Sequence, residues 1–459
     1  MSNKLERKYG LFTAICMVAG IVIGSGVFFK AQTILERTGG DMPLGIIAWI
    51  IGGAIMMVSL LTFSFMGQKY EKVNGVVDYA EATCGKRYGY LMGWFVSTIY
   101  FPAMASVLCW LTARYTLEFL LSVNPDIPLV GSPMVGPECL ALSLFYMLFA
   151  FAVNALSPKL AGKFQTTTTV IKLIPLTLMA VVGIVYGLST GMLTENFKTN
   201  ATVTAASGGS PLFAAVCSTA FAYEGWIIAT SINAEIKDSK KNLPRALIVG
   251  GIIIAAVYIS YYVGVAGGAT NQDLIDKGAP VAFTNIFGNA LGNVLNLFIA
   301  ISCFGTTNGL MLATCRGMYS LAARGEGPKP SFFGRLNPKT NMPTASSFVG
   351  LLLILGWFAY FYLSNLAQAW QGPFVFDSSE LPIITVYLMY LPILIRWMYK
   401  EKDQPALRRF VFPALSLCGC LFMIIASIVS HGIGCVWYLI VFAVMMAVGI
   451  LLNRRSAQP

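Results

Sequence analysis

The sequence predicts an all-α integral membrane protein, and three observations carry that prediction. Charged residues make up only 11% of the 459-residue chain, whereas apolar residues make up 56%, with a mean hydropathy of +0.70. An average soluble domain has roughly 25% charged residues, so this chain has too few to cover a water-facing surface of its size. The apolar residues form long continuous runs, not the alternating ten-residue segments of a transmembrane barrel.

Twelve of these runs are long enough to cross a bilayer, since a transmembrane helix needs about 20 mostly apolar residues. The predicted spans are residues 11–34, 43–68, 88–121, 137–156, 165–187, 210–235, 246–268, 287–321, 344–363, 377–399, 409–430 and 433–453. The even number of spans places both termini on the same side of the membrane.

The basic residues predict which side that is. Of the 31 Lys and Arg residues, 25 fall in the terminal segments and in alternate connections, and two lie inside spans. The positive-inside rule therefore predicts cytoplasmic termini in a plasma-membrane protein. The net charge of +11 reflects topology and does not indicate a nucleic-acid partner. The remaining four basic residues count with the predicted outer segments: Lys30, Arg37, Lys198 and Lys277.

Span 1 contains Gly20, Gly24, Ser25 and Gly26 within seven residues. In lipid, a helix unwinds only where its freed backbone groups face protein, water or a ligand. One interpretation is an unwound centre whose amides bind a carboxylate at a helix N-terminus. The other is a small-residue patch for helix packing. The residues alone leave both interpretations open.

Span 6 combines glycine with an acid in mid-span, in the segment Phe221-Ala-Tyr-Glu-Gly-Trp226. An ionised carboxylate at that depth is costly unless it is paired or hydrated, which makes Glu224 a candidate functional residue. A structural hydrogen bond or salt bridge is the alternative role for Glu224.

The two interrupted spans lie five apart, which is typical of a transporter built from two inverted repeats. We therefore predict one transmembrane domain over residues 1–459. Its first repeat would cover residues 11–187 and its second residues 210–399. Residues 409–453 would form two peripheral helices.

With these two breaks, the chain resembles the amino acid–polyamine–organocation superfamily over essentially its whole length. Within it, the chain looks most similar to the prokaryotic branch of the L-type amino acid transporter family, which includes serine/threonine and alanine/serine/cysteine exchangers. The segments that carry the resemblance are Gly20-x-x-Ile-Gly-Ser-Gly-Val-Phe28, Tyr79–Trp94, Lys172-Leu-Ile-Pro175, Phe221–Trp226 and Glu235–Arg245.

The resemblance implies a LeuT-type fold of five plus five helices and alternating access to an amino-acid site near the membrane midplane. The amides around Ser25 and Gly26 would hold the substrate carboxylate. The carbonyls of Ile23 and Phe221 would accept from its ammonium group. The side-chain pocket would be bordered by Glu224 and Trp226. Many relatives have a small residue where Glu224 stands, which leaves the charge and specificity of the pocket open.

Lys172 is an ionisable residue inside span 5. The resemblance suggests that its ammonium occupies the place of a sodium ion in sodium-coupled relatives, bridging the Gly20 carbonyl and Ser302. A fixed structural lysine bonded to nearby carbonyls is the alternative. We expect transport without sodium, and leave exchange and proton-linked uptake open.

The expected function is therefore sodium-independent secondary transport of small neutral L-amino acids, with a channel or a membrane-embedded enzyme as the alternative. His431 is the only histidine, so no metal or catalytic set can be built around it from other histidines. Asp377 and Glu380 fit the N-terminus of span 10. We expect no cofactor and no metal. The connection between spans 3 and 4, residues 122–136, has no cysteine, so no disulfide-linked heavy subunit is expected.

Overall fold

The computed structural model describes residues 10–24, 26–70, 75–156, 167–168, 171–198, 210–226, 236–340 and 342–453. Over these residues the regular structure consists of helices. In chain order they are α1 Leu11–Val22, α2 Gly26–Arg37, α3 Met42–Lys69, α4 Val76–Cys84, α5 Lys86–Val123, α6 Pro137–Leu156, α7 Ile171–Thr190, α8 Met192–Asn196, α9 Pro211–Tyr223, α10 Ser239–Ala266, α11 Asn271–Lys277, α12 Ala279–Cys315, α13 Gly317–Ala322, α14 Pro330–Phe333, α15 Thr344–Leu366, α16 Leu381–Lys400, α17 Leu407–His431 and α18 Ile433–Leu452.

Ten helices in the described part of the chain are long and apolar enough to cross a membrane. They correspond to ten of the twelve predicted spans: α3, α5, α6, α7, α10, α12 with α13, α15, α16, α17 and α18. The other two predicted spans are spans 1 and 6. There the apolar helices are short, because α1 ends at Val22 and α9 ends at Tyr223.

Local sequence explains where several helices begin. The Asp41 side chain accepts a hydrogen bond from the Leu44 N–H at 2.9 Å, which caps α3. Thr270 accepts from the Asp273 N–H at 3.1 Å and caps α11 in the same way. These side chains satisfy backbone donors that have no partner within the helix. Proline lies near the start of α3 and of α9. It is well tolerated there, because the N–H that proline lacks has no partner within the first turn of a helix.

One compact unit comprises Met1–Met92, Leu176–Ala282 and Ile383–Ser430. Within it, α7 and α10 approach closely through glycines. A Cβ added to Gly183 would lie 2.4 Å from the Gly264 carbonyl oxygen, and one added to Gly267 would lie 2.0 Å from the Gly183 carbonyl oxygen. Small residues allow this backbone contact, which is a common way for helices to associate in lipid.

The second unit comprises Gly93–Pro175, Phe283–Pro382 and His431–Pro459. Two tryptophan side chains form hydrogen bonds between its helices. The Trp94 N–H donates to the Met445 carbonyl at 2.9 Å, and the Trp357 N–H donates to the Thr98 carbonyl at 3.0 Å. Both bonds satisfy a polar edge of a residue whose remaining surface is apolar. These two compact units do not correspond to the two predicted repeats, and the repeat boundaries, 11–187 and 210–399, stay predictions.

Candidate functional site

The first helix break lies between α1 and α2. After Val22 the backbone of Ile23 turns extended, with φ −65° and ψ 99°, while its N–H still donates to the Ala19 carbonyl at 2.8 Å. The next helix starts at Gly26. Ile23, Gly24 and Gly26 are buried, and Ser25 lies outside the described residues. The glycine-rich segment therefore interrupts span 1 and is not simply a packing patch on a continuous helix.

The second break follows α9. Glu224 is extended, with φ −69° and ψ 159°, and Gly225 has a φ of +102°. L-residues with side chains rarely adopt that conformation, so glycine allows the chain to turn directly after the acid. Glu224 is partly buried and Trp226 is buried.

The two breaks meet within the first unit. A Cβ added to Gly26 would lie 2.7 Å from the Ala222 Cα and 3.1 Å from the Phe221 carbonyl oxygen. The start of α2 therefore packs directly on the end of α9, backbone against backbone. This contact brings together Gly26 and Phe221, two of the residues that the sequence predicted for one site.

A single buried phenol joins the two broken ends. The Tyr258 hydroxyl, on α10, lies 3.0 Å from the Val22 carbonyl oxygen and 3.0 Å from the Ala222 carbonyl oxygen. It also forms a hydrogen bond with the backbone of Gly24. The last carbonyls of a helix have no partner within it, and here one side chain serves the last turns of both α1 and α9.

Sequence reasoning missed Tyr258. The only signal in the sequence is a run of three tyrosines, Tyr258, Tyr261 and Tyr262, in an otherwise apolar span. A buried tyrosine usually finds a hydrogen-bond partner, so the run could have suggested a polar neighbour. It could not have identified which carbonyls that neighbour would supply.

Trp226 lies in an aromatic cluster with residues of α3 and α16. Its ring centroid is 5.5 Å from that of Phe63 and 5.8 Å from that of Tyr390, and those two rings are 4.7 Å apart. The Glu224 carboxylate interacts electrostatically with the phenols of Tyr387 and Tyr390. The turn after α9 thus places Glu224 and Trp226 beside α16.

Lys30, which the predicted topology counts with the outer segments, lies in α2 and is only 2% exposed. Its ammonium is 5.0 Å from the centre of the Phe29 ring and 5.3 Å from that of Phe221. These are cation–π distances, so a positive charge is held directly against a predicted site residue.

In the second unit, Lys172 is 3% exposed near the start of α7, and Ser302 is fully buried in α12. The Ser302 hydroxyl has no hydrogen-bond partner among the described residues. Thr168 lies one helical turn before Lys172, and Gly305 lies about one turn after Ser302. These two residues pack against each other, because a Cβ added to Gly305 would lie 2.4 Å from the Thr168 Oγ1. Gly20 belongs to the first unit, where it is buried in α1.

Ten apolar helices, together with two interrupted helices whose broken ends meet, define a multi-pass membrane transporter. A family model described as amino acid permease matches residues 9–451. The chain therefore belongs to the amino acid permease family. The predicted resemblance to the amino acid–polyamine–organocation superfamily is confirmed, and the chain is a transporter of amino acids and not an enzyme.

Individual relatives are similar over nearly the whole chain. The serine/threonine exchanger SteT of Bacillus subtilis is 28% identical over 445 residues, covering 94% of each chain. The Asc-type amino acid transporter 1 of Mus musculus is 26% identical over 446 residues, covering 94% of this chain and 78% of the relative. The large neutral amino acids transporter small subunit 2 of Homo sapiens is 26% identical over 442 residues, covering 94% of this chain and 77% of the relative.

Proposed function

We propose that this permease exchanges small neutral L-amino acids across the plasma membrane by alternating access and without sodium. The observation that carries the proposal is the meeting of the two helix breaks, with Gly26 packed on Phe221 and Ala222 and with Tyr258 joining both ends. The names of the relatives, a serine/threonine exchanger among them, support neutral amino acids as the substrate class.

The substrate would bind by its zwitterionic end. The N-terminus of α2 carries partial positive charge and free amides, so Ser25 and Gly26 would bind the carboxylate. The C-terminal ends of α1 and α9 carry partial negative charge, so the carbonyls of Ile23 and Phe221 would accept from the ammonium. Glu224 and Trp226 would border the substrate side chain.

We also propose that the protein has the LeuT-type arrangement of five plus five helices within twelve spans. In it, α1 with α2 forms span 1, and α9 begins span 6. Support comes from the breaks themselves, which fall in corresponding spans of the two predicted repeats. Residues 227–235, which would complete span 6, lie outside the described part of the chain.

Lys172 is proposed to act as a fixed cation beside Ser302, in place of a coupling sodium ion. Thr168 packs on Gly305, and spans 5 and 8 run in opposite directions in the predicted topology. One helical turn forward from Thr168 is Lys172, and about one turn back from Gly305 is Ser302. In an antiparallel pair these two positions face one another. The role expected for the Gly20 carbonyl stays a prediction.

The proposed topology has both termini in the cytoplasm, and the proposed carrier works without a disulfide-linked heavy subunit. Residues 122–136 contain no cysteine, which supports the second point. All ten cysteines lie in the described part of the chain, and none of them is in a disulfide there.

Counterflow into proteoliposomes tests the function. Vesicles preloaded with unlabelled serine should take up labelled serine or alanine faster than empty vesicles do, with saturation and with equal rates in sodium and in choline buffer. Uptake that rises linearly with concentration and ignores the internal amino acid would identify a channel and overturn the proposal. If transport required sodium, only the proposed independence from sodium would be overturned, and the proposed exchange would stand.

A further inference from the structure

The second unit brings the only histidine of the chain beside two acids that are distant in sequence. The His431 Nε2 lies 3.3 Å from the Glu380 Oε2 and 3.9 Å from the Asp377 Oδ2. Taking one donor atom from each residue, the three atoms all lie within 4.8 Å of one another. Glu380 is fully buried, and the other two residues are partly buried.

Asp377 is held in a fixed orientation. Its Oδ1 accepts from the Ser379 N–H at 2.7 Å, from the Ser379 hydroxyl at 2.6 Å and from the Glu380 N–H at 3.0 Å. The oxygen nearest the histidine is the other one, Oδ2. The preceding residue is fixed as well, because Phe376 donates its N–H to the Tyr360 hydroxyl at 2.8 Å. Such supporting bonds position ligands around a metal ion.

The distances fit a tetrahedral metal ion. With metal–ligand bonds of 2.0–2.1 Å, two ligand atoms at a tetrahedral angle are about 3.4 Å apart. The His431–Glu380 distance of 3.3 Å matches that separation without rearrangement. The Asp377 oxygen, at 3.9 Å, would need to move by about 0.5 Å. One imidazole nitrogen with two carboxylate oxygens is a set that zinc accepts and that calcium, which prefers oxygen ligands only, does not favour.

The cluster can be reached from outside the fold. Asp377 and His431 line a cavity of about 600 Å³, together with residues that include Asn365, Trp370 and Trp437. The described residues that line it include no lysine and no arginine. Two carboxylates beside one imidazole can hold a cation, and the cavity has room for a water as the fourth ligand.

We propose that Asp377, Glu380 and His431 bind one divalent transition-metal ion of the zinc type. Three protein ligands and one open position would define the site. It would join the segment before α16 to the C-terminal end of α17, independently of the amino-acid site. The sequence expectation of no metal rested on the single histidine, whereas the fold supplies two carboxylates to complete the set.

The test uses purified full-length protein without a histidine tag. Cobalt(II), a spectroscopic substitute for zinc, should bind with one ion per chain and give the intense visible bands of a tetrahedral site. Zinc should displace it. Glu380→Gln and His431→Gln should each weaken binding at least tenfold, since each removes one of only three protein ligands.

Two controls separate this site from other donors. Cys16→Ser and Cys418→Ser remove exposed thiols that also bind zinc, and neither should change the stoichiometry. Asp273→Asn removes an exposed carboxylate elsewhere and should leave the affinity unchanged. Gel filtration of every variant checks folding, and Asp377→Asn replaces Glu380→Gln if burial of Glu380 makes that variant unstable.

Absence of stoichiometric cobalt or zinc binding to the unchanged protein would overturn the proposal. Binding that survives both His431→Gln and the acid substitution would do so as well. Either result would leave the cluster as an ion pair between a protonated imidazole and two carboxylates. Neither result bears on amino-acid exchange, which is measured separately by counterflow.

Discussion

Tyr258 shows how one side chain can position two helix ends that lie at the candidate site. Its hydroxyl lies within hydrogen-bond distance of the carbonyl ends of α1 and α9, and burial at that place excludes water as a substitute partner. An unsatisfied buried carbonyl costs about 1–3 kcal/mol. The relative position of the two broken ends therefore depends on a residue that need not touch the substrate.

We predict that Tyr258→Phe lowers the free energy of unfolding by about 1–3 kcal/mol, since the aromatic packing is kept and only the hydroxyl is lost. Serine counterflow should fall as well, because the two broken ends lose their common partner. Thermal unfolding and counterflow measure the two effects. Tyr399→Phe, at an exposed position, is the control and should change neither. Unchanged stability and transport in Tyr258→Phe would show that the bridge is dispensable.

Lys172 is the residue that we propose makes transport independent of sodium. Replacement by alanine should abolish counterflow or slow it strongly while the protein remains folded, because the proposed fixed cation is removed. Transport rates and gel filtration of the same preparation check both parts. Leu173→Ala, beside it on α7 and 36% exposed, is a control that should retain most activity. Normal exchange by a well-folded Lys172→Ala protein would contradict this role.

At the scale of elements, the α2–α9 contact sets the geometry of the candidate site. It depends on a glycine because the facing atoms are backbone, which cannot move aside as a flexible side chain can. The contact also explains the buried cation nearby. Lys30, on the second turn of α2, covers the Phe221 ring with its ammonium, so α2 is held to α9 by both backbone packing and a cation–π interaction.

Gly26→Ala should therefore reduce exchange more than tenfold, because the added Cβ would lie 2.7 Å from the Ala222 Cα and force the two helix ends apart. Initial counterflow rates at saturating serine measure the loss. Gly356→Ala is the matched control: it lies in α15, and its Cβ would meet nothing within 4 Å. Equal rates for the two variants would exclude a dependence on the α2–α9 contact.

A salt bridge and a hydrogen bond also join the C-terminal ends of α3 and α16. Lys69 forms a salt bridge with the buried Glu401, and the Tyr70 hydroxyl donates to the same carboxylate. Burial and this hydrogen bond raise the pKa of Tyr70, so the phenol stays protonated and remains a donor at physiological pH. None of this was predicted from the sequence, because Lys69 and Glu401 are separated by most of the chain.

At the scale of the whole molecule, the basic residues predict orientation. In the predicted topology 25 of them fall on the cytoplasmic side. A reporter domain fused to either terminus should therefore be active only if it is one that works in the cytoplasm. A fluorescent protein at the C-terminus should fold and fluoresce, and alkaline phosphatase at the same point should stay inactive. A phosphatase fused after residue 198, in a predicted outer segment, is the control and should be active. Active phosphatase at the C-terminus would contradict the topology.

The properties that could be read from the sequence are those that depend on neighbouring residues. An apolar run of about 20 residues is more stable in a bilayer than in water, whatever its neighbours are. The membrane class and ten of the spans could therefore be predicted from hydropathy. The glycines of Gly20–Gly26 and Glu224-Gly225 marked the two candidate breaks, but in span 1 the residues alone did not decide between an unwound centre and a packing patch; the end of α1 at Val22 decided it. The family was recognisable because those two motifs stand five spans apart.

Only the tertiary structure decided which residues from distant helices come together. Tyr258 joins Val22 to Ala222, Lys30 turns inward onto Phe221, and His431 meets Asp377 and Glu380. Each of these contacts depends on how a helix is rotated about its axis and on which neighbour it packs against. Hydropathy does not specify rotation in a span that is apolar on every side. The physical reason is that these contacts are set by packing between helices, which no local stretch of sequence contains.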